Sequence, residues 1–209
     1  MTFKRASTRE QITQYLLERI LDGTYKPGER LIELNIASEL KTSQAPVRES
    51  LRYLEAMRVV VTEPYKGTRV REITDRELEE SSQVRAALEE LGAELAAKAL
   101  KGNVGCITEE SKLFMKAAMQ KDVQKYSQHD IEFHRQIMEA SGNQLLLSIW
   151  ENVVLETRFR RTLSRIGEDQ LVEFGEAHLP VIDALAEGDG KKAAAILKNL
   201  ICKFHFLKN

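Results

Sequence analysis

The chain has little of what would place it outside a cell or across a membrane. Its two cysteines, Cys106 and Cys202, lie far apart and make neither a disulfide framework nor a metal-ligand pair. Apolar runs are short. Leu145-Leu146-Leu147 and Val59-Val60-Val61 fall far below the roughly 20 residues that a membrane-spanning helix needs. The opening Met1-Thr2-Phe3-Lys4-Arg5 runs straight into polar residues and lacks the apolar core of a secretory signal. No internal repeat or low-complexity linker is visible. These absences point to a reducing cytoplasm and no membrane partner. Net charge is almost absent too, at −1, but the sum is uneven. Residues 1–72 carry 13 Lys+Arg against 10 Asp+Glu, and the remainder 18 against 22. A surplus of three is no argument for a nucleic-acid partner by itself, since it is commonly just a solvated surface.

What is present is ordinary globular composition, 43% hydrophobic and 30% charged, in 209 residues, enough for one large domain or two small ones. In the first seventy residues, Thr8-Arg9-Glu10-Gln11 has the capping-box form, and Ile12, Leu16 and Ile20 follow at i+4 spacing until Gly23. Pro27-Gly28 interrupts the chain. Leu34, Ala37 and Leu40 then mark a second helix that stops before Lys41-Thr42. Ser43 is placed to cap a third, in which Pro46 is tolerated only in the first turn and Val47, Leu51 and Leu54 form the apolar stripe.

Two short helices joined by a tight turn make a helix-turn-helix, whose second helix offers side chains to the major groove. Gln44, Arg48 and Arg52 form an i, i+4 row about 100° from the apolar stripe, so the row faces outward. Gln can bond N6 and N7 of adenine, Arg can bond O6 and N7 of guanine, and either can hold a phosphate. A plain solvated helix face would look the same. Next, Val59-Val60-Val61-Thr62, a turn at Glu63–Gly67 and the alternating Thr68-Arg69-Val70-Arg71 predict a β-hairpin with a basic return strand. A hairpin directly after a helix-turn-helix is the wing of a winged helix. Its tip, Lys66-Gly67, can approach DNA closely because Gly has no side chain.

At this point the pattern resembles a known family. Pro27-Gly28-Glu29-Arg30-Leu31, Ala37-Ser38-Glu39-Leu40, Pro46-Val47-Arg48-Glu49-Ser50-Leu51-Arg52-Tyr53-Leu54-Glu55 and Lys66-Gly67-Thr68-Arg69-Val70 resemble the GntR regulators in order and spacing. The resemblance implies that Arg48 and Gly67 touch DNA. Where the family usually has Arg-Thr this chain has Gln44-Ala45, which weakens the contact expected there. The usual Gly after the Leu-Glu pair is also missing, and Arg58 stands in its neighbourhood.

From Thr74-Asp75-Arg76-Glu77, a second capping box, helical periodicity takes over and strand-like alternation ceases. Val84, Leu88, Leu91 and Leu95 read as the buried stripe of a long helix ending at Gly102. Further stripes are Phe114/Ala118, Tyr126/Phe133/Ile137, Leu146/Ile149/Val153, Leu171/Phe174/Val181/Leu185 and Ala193/Leu197/Leu200/Phe204, making a bundle of about six helices. Asp130 falls on the stripe of Tyr126 and Phe133 with His134 one turn beyond, and His178 sits on the stripe of Leu171 and Val181. A buried carboxylate needs a partner. The spacing allows a shared cation or a hydrogen-bonded His–Asp core pair.

The segments Asp130-Ile131-Glu132-Phe133-His134, Ala140–Leu146 and His178 with Asp183-Ala184-Leu185 and Glu187-Gly188-Asp189 are similar to the FCD-type sensor of the FadR subfamily. That resemblance implies a divalent metal held by Asp130, His134 and His178, together with a small carboxylate effector. Zinc, nickel and manganese are the metals expected. A fourth ligand is expected near Asn199 or Leu200, and neither is histidine; His205 falls a turn too late. Arg85, in a Val-Arg-Ala-Ala-Leu-Glu segment matching the subfamily, reads as an effector clamp or as an exposed surface Arg.

The expected architecture is therefore mainly α: a winged helix-turn-helix over residues 1–73, then an all-helical antiparallel bundle over 74–209 that binds effector and dimerises. The expected function is a ligand-responsive, non-enzymatic regulator that binds double-stranded operator DNA as a homodimer. Gln44, Ala45, Arg48, Arg52, Lys66 and Gly67 are its expected DNA contacts. Two rivals share these residues: a helical-bundle enzyme with a metal on Asp130, His134 and His178, and a helical interaction module whose head has lost DNA binding.

Overall fold

The computed structural model describes residues 7–163 and 170–205, with the side chains of 155–163 and 203–205 left aside. Two compact units divide the chain, one ending at Ile73 and the other beginning at Thr74.

The first unit begins with α1 (Thr8–Leu21), whose Ile12, Leu16 and Ile20 are buried. Its capping box lies one residue earlier than the sequence suggests: Ser7 is the N-cap and exchanges hydrogen bonds with Glu10. Helix α2 (Glu33–Glu39) and helix α3 (Gln44–Ala56) flank a four-residue turn in which Lys41 takes φ 50°. Leu34, expected inside, is exposed; Ile36 and Ala37 supply the buried face of α2 instead. Val47, Leu51 and Leu54 of α3 are buried as the periodicity requires. The hairpin strands are β2 (Val60–Glu63) and β3 (Gly67–Val70).

A third strand, β1 (Arg30–Leu31), was not expected; two residues are too few for alternation to show. It pairs antiparallel with β3, giving the order β1-β3-β2, with Arg30 opposite Arg69 and Leu31 opposite Thr68. The wing is thereby tied to the segment before α2. Arg58 takes φ 59°, so the side chain that replaces the expected glycine sits in the left-handed region.

The second unit holds α4 (Asp75–Leu100), α5 (Gly105–Met119), α6 (Val123–Ala140), α7 (Gln144–Leu163), α8 (Leu171–Glu176), α9 (Leu179–Glu187) and α10 (Gly190–His205). Thr74 caps α4 in the expected box with Glu77. Of the stripe expected to be buried on α4, only Leu88 is partly buried, packed against Trp150 and its neighbours. Val84, Leu91 and Leu95 are 44–49% exposed, and the inward face is Ser82, Arg85, Ala86, Glu89, Gly92, Ala93, Ala96 and Ala97. Small residues win that face because they let α10 approach closely: a Cβ on Gly190 would stand 3.0 Å from Cα and O of Glu94.

The seventh helix arises because the Leu171–Leu185 stripe is broken in two. Pro180 fits only a first helical turn, so α8 stops and α9 restarts with His178 at its N-cap position. Among the described side chains of α7 the buried ones are Leu146, Trp150 and Val154, the last two one step from the expected Ile149 and Val153. Phe114, Phe133, Phe174, Leu171, Val181 and Leu185 belong to the core of this unit.

Candidate functional site

Gln44, Ala45, Arg48 and Arg52 all lie exposed on α3, and Lys66 is exposed at the hairpin tip. The buried stripe of Val47, Leu51 and Leu54 rotates that row outward. Each basic member has a carboxylate beside it: Arg48 with Glu33, Arg52 with Glu49 at 3.2 Å, and Lys66 with Glu63 at 2.6 Å. The Lys66 hydrogen bond and charge hold the Glu63 carboxyl below the usual range. Gly67 has φ +79° and a Cβ there would meet the Arg30 guanidinium at 3.3 Å. A left-handed turn into β3 therefore calls for glycine before any DNA contact is considered.

The four other expected residues, Arg85, Asp130, His134 and His178, are fully buried in the helical unit. One oxygen or nitrogen from each of Asp130, His134 and His178 lies within 4.8 Å of the others. His178 Nε2 is 3.1 Å from Asp130 Oδ1 and 3.3 Å from His134 Nε2. Phe114 and Phe133 pack their rings against the imidazoles at 5.0–5.5 Å, making the walls apolar.

Partners on the far side of each ring decide where the protons are. His178 Nδ1 lies 2.7 Å from the Phe174 carbonyl, which only accepts, so Nδ1 carries the hydrogen. His134 Nδ1 lies 2.5 Å from Oε2 of Glu89. Burial alone would push the Glu89 carboxyl up, but the Arg85 charge, then His134 and the Trp150 N–H, hold it down to about 2. Glu89 is thus an acceptor, and His134 donates from Nδ1. Burial also pushes the His134 imidazole down, with Glu89 opposing, which keeps the ring neutral near pH 7. The Nε2 of His134 then presents a bare lone pair, and it converges with the Nε2 of His178 and with Asp130.

A proton shared with Asp130 would relieve part of that convergence; a cation would satisfy all three donors at once. Separations of 3.1 and 3.3 Å are close to the roughly 3.3 Å edge of a tetrahedron with zinc–nitrogen bonds of about 2.0–2.1 Å. Two imidazoles and a carboxylate are also the donor set that borderline divalent ions take, and each imidazole is oriented by a backbone or carboxylate acceptor. The residues fit a divalent metal. Where a fourth ligand was expected, Asn199 is exposed and Leu200, though buried, has no donor atom; the side chain of His205 lies outside the described residues.

Arg85 is neither an exposed surface residue nor a free clamp. Its Nε donates to Glu89 Oε1 at 2.6 Å, and Nη2 has no hydrogen-bond partner among the described residues. Glu89 and Trp150 are the participants that sequence reasoning missed. Trp150 Nε1 donates to Glu89 Oε1 at 2.7 Å, so Glu89 joins α4, α6 and α7 around one carboxylate. The available signal was Glu89 standing four residues after Arg85, on the small-residue face of α4.

With the geometry in place, the comparisons with known proteins are decisive for the family. Residues 8–70 match the model for bacterial regulatory proteins of the gntR family, and residues 80–202 match the FCD domain. The chain belongs to the GntR family and carries an FCD domain. It is similar to the probable D-xylose utilization operon transcriptional repressor of Paenarthrobacter nicotinovorans, 28% identical over 96% of this chain and 88% of that one. The gluconate operon transcriptional repressor of Bacillus licheniformis is 31% identical over 71% of this chain and 61% of that one. In fold, McbR/YncC of Escherichia coli superimposes with TM-score 0.82 over 96% of both chains at 23% identity. As a member of this family the chain is a DNA-binding transcription regulator rather than an enzyme. Among the described residues no helix is long and apolar enough to cross a membrane.

Proposed function

We propose that this GntR-family chain is a cytoplasmic, homodimeric repressor that releases or rearranges on its operator when a small carboxylate binds the FCD domain with the help of a divalent metal. The effector half of this reading is carried by the convergence of Asp130 Oδ1 and the Nε2 atoms of His134 and His178 in an apolar, fully buried setting. Asp130, His134 and His178 would hold zinc, nickel or manganese. Such an ion, when bound, supplies positive charge and an open coordination position. Asp130 alone would repel an anion, so three protein ligands with no fourth among the described residues favour a carboxylate as the completing ligand. Arg85 can add one N–H from Nη2, because only its Nε is committed to Glu89. Repression is supported by two matched relatives whose names describe operon repressors.

On the DNA side, Gln44, Ala45, Arg48 and Arg52 would enter the major groove while Lys66 and Gly67 follow the adjacent backbone or minor groove. Dimerisation is supported by the outward face of α4. Val84, Leu91 and Leu95 repeat at seven and four residues, fall within about 40° of one another on a helix, and remain 44–49% exposed. Two such dimer-linked heads would reach half-sites related by a two-fold axis. Effector binding shifts the heads only if it favours one arrangement over the other.

The test combines three measurements on the full chain. Light scattering should give a dimer, and Leu91→Glu with Leu95→Glu should give a folded monomer. Anisotropy against an operator selected from random duplexes should show affinity that changes when metal and an organic acid from a panel are both added. If operator affinity is indifferent to every metal and acid pairing, the sensor reading fails while the DNA reading stands; a monomer that binds operator unchanged overturns the dimer.

A further inference from the structure

Among the basic residues expected on DNA, Arg48 has a different kind of partner from the others. Arg52 pairs with Glu49 three residues before it on the same helix, and Lys66 with Glu63 three residues before it in the same hairpin. Arg48 on α3 is instead held by Glu33, the first residue of α2, across the helix-turn-helix. Its Nε is 3.1 Å from both carboxylate oxygens of Glu33, and its Nη2 is 2.8 Å from Oε2. Glu33 itself sits in the first turn of α2, where the unsatisfied backbone N–H groups favour a negative charge.

That contact occupies one edge of the guanidinium. Five N–H groups are fixed in the plane of the fork, and Glu33 takes the Nε hydrogen and one Nη2 hydrogen. The end-on edge, with an N–H from Nη1 and another from Nη2, remains open. Guanine presents two acceptors, O6 and N7, that such an edge bonds as a pair. A phosphate would gain little from it. Glu33 cancels most of the charge that draws an anion, and its carboxylate repels one, whereas a base edge needs only aligned donors.

We propose that Glu33 is a positioning residue that commits Arg48 to a guanine edge rather than to a phosphate. Glu33 holds the side edge of the fork, and the end-on edge is presented to the groove already oriented. Arg52 and Lys66, tied only to near neighbours in the same helix or hairpin, are left as the mobile phosphate contacts. The proposal rests on the reading of Arg48 as a DNA contact, and the experiment separates the two.

Fluorescence anisotropy is measured for the full chain on a labelled duplex selected in vitro from a random pool, and on a scrambled duplex of equal length. A salt series accompanies each. Arg48→Ala should lose about one to two orders of magnitude on the selected duplex. Glu33→Gln should bind the scrambled duplex several-fold more tightly, because a negative charge beside a polyanion is gone. The ratio of selected to scrambled affinity should nevertheless fall about tenfold, with the penalty for replacing one G·C pair lost. Arg48→Lys keeps the charge without the fork, and it should lose that same ratio while keeping the salt slope of the wild type. If Arg48→Ala binds like the wild type, the underlying DNA role of Arg48 is wrong. If Arg48→Ala weakens binding but Glu33→Gln raises both affinities equally, Glu33 is a bystander and the proposal is overturned. Should Glu33→Gln not fold, an unchanged ratio in Arg48→Lys overturns it independently.

Discussion

The two units handle charge in opposite ways. In the DNA-binding unit Arg52 and Lys66 and their carboxylate partners stay at the surface, in pairs that solvent screens and that DNA can rearrange. In the FCD unit Arg85, Glu89, Asp130, His134 and His178 are withdrawn from water and lie against one another. The surface pairs can change partners at small cost, as a reading surface must. The buried set cannot be changed piecemeal, because any member removed leaves another charged or polar group stranded in a low-dielectric interior. A buried cluster of that kind stays in a fold when it has a use, and the use argued above is an ion and an anionic effector.

The strongest way to break this contrast is to remove its hub. Glu89→Ala strands the Arg85 charge and the Trp150 N–H, and should destabilise the FCD unit by about 3–5 kcal/mol. Urea unfolding followed by far-UV circular dichroism reads it. The sign with pH is fixed, because Glu89 is held near 2 when folded and lies at about 4.3 when unfolded. Its contribution is full above the unfolded value and fades as pH falls toward 2. The gap between wild type and variant should therefore narrow below about pH 4.3. A surface pair such as Arg52–Glu49, deleted in parallel, should move stability by less than about 1 kcal/mol.

A smaller effect tests why the inward face of α4 is built of small residues. Gly190→Ala places a methyl 3.0 Å from the backbone of Glu94, where no side chain can swing aside. It should cost about 1–3 kcal/mol by forcing α10 away from α4, read as a lowered midpoint in the same urea experiment. The smallest effect lies in the other unit and has the opposite sign. Arg58→Gly relieves a left-handed backbone at φ 59° and should stabilise the winged helix by up to about 1 kcal/mol, seen as a higher thermal midpoint.

The units also differed in how far their residues announced themselves. Short helices with one dry face read plainly: Ile12, Leu16, Ile20, Val47, Leu51 and Leu54 are all buried where spacing put them. The hairpin showed through strand alternation, but β1 was too short to show any, and Leu34 misled because an apolar residue on a small surface helix need not face inward. In the FCD unit α4 carries two usable faces. Periodicity chose the larger residues, Val84, Leu91 and Leu95, whereas close helix packing chose Ala93, Ala96 and Ala97. Asp130, His134 and His178 were legible because they interrupt apolar stripes. Glu89 interrupts nothing, since its neighbours on the helix face are Ser82, Arg85 and small residues, so periodicity does not single it out. The break before α9 depended on Pro180, which periodicity alone passes over.

The account stands most directly on whether the buried donors hold a metal. Chelator-treated full-length protein is titrated calorimetrically with zinc, nickel and manganese, beside His134→Ala and His178→Ala variants shown to be folded. The account predicts one ion per chain in the wild type, tightened by a carboxylate from the acid panel and weakened at least tenfold in each variant. Metal binding that survives both substitutions, or a wild-type protein that binds neither metal nor acid, would contradict it.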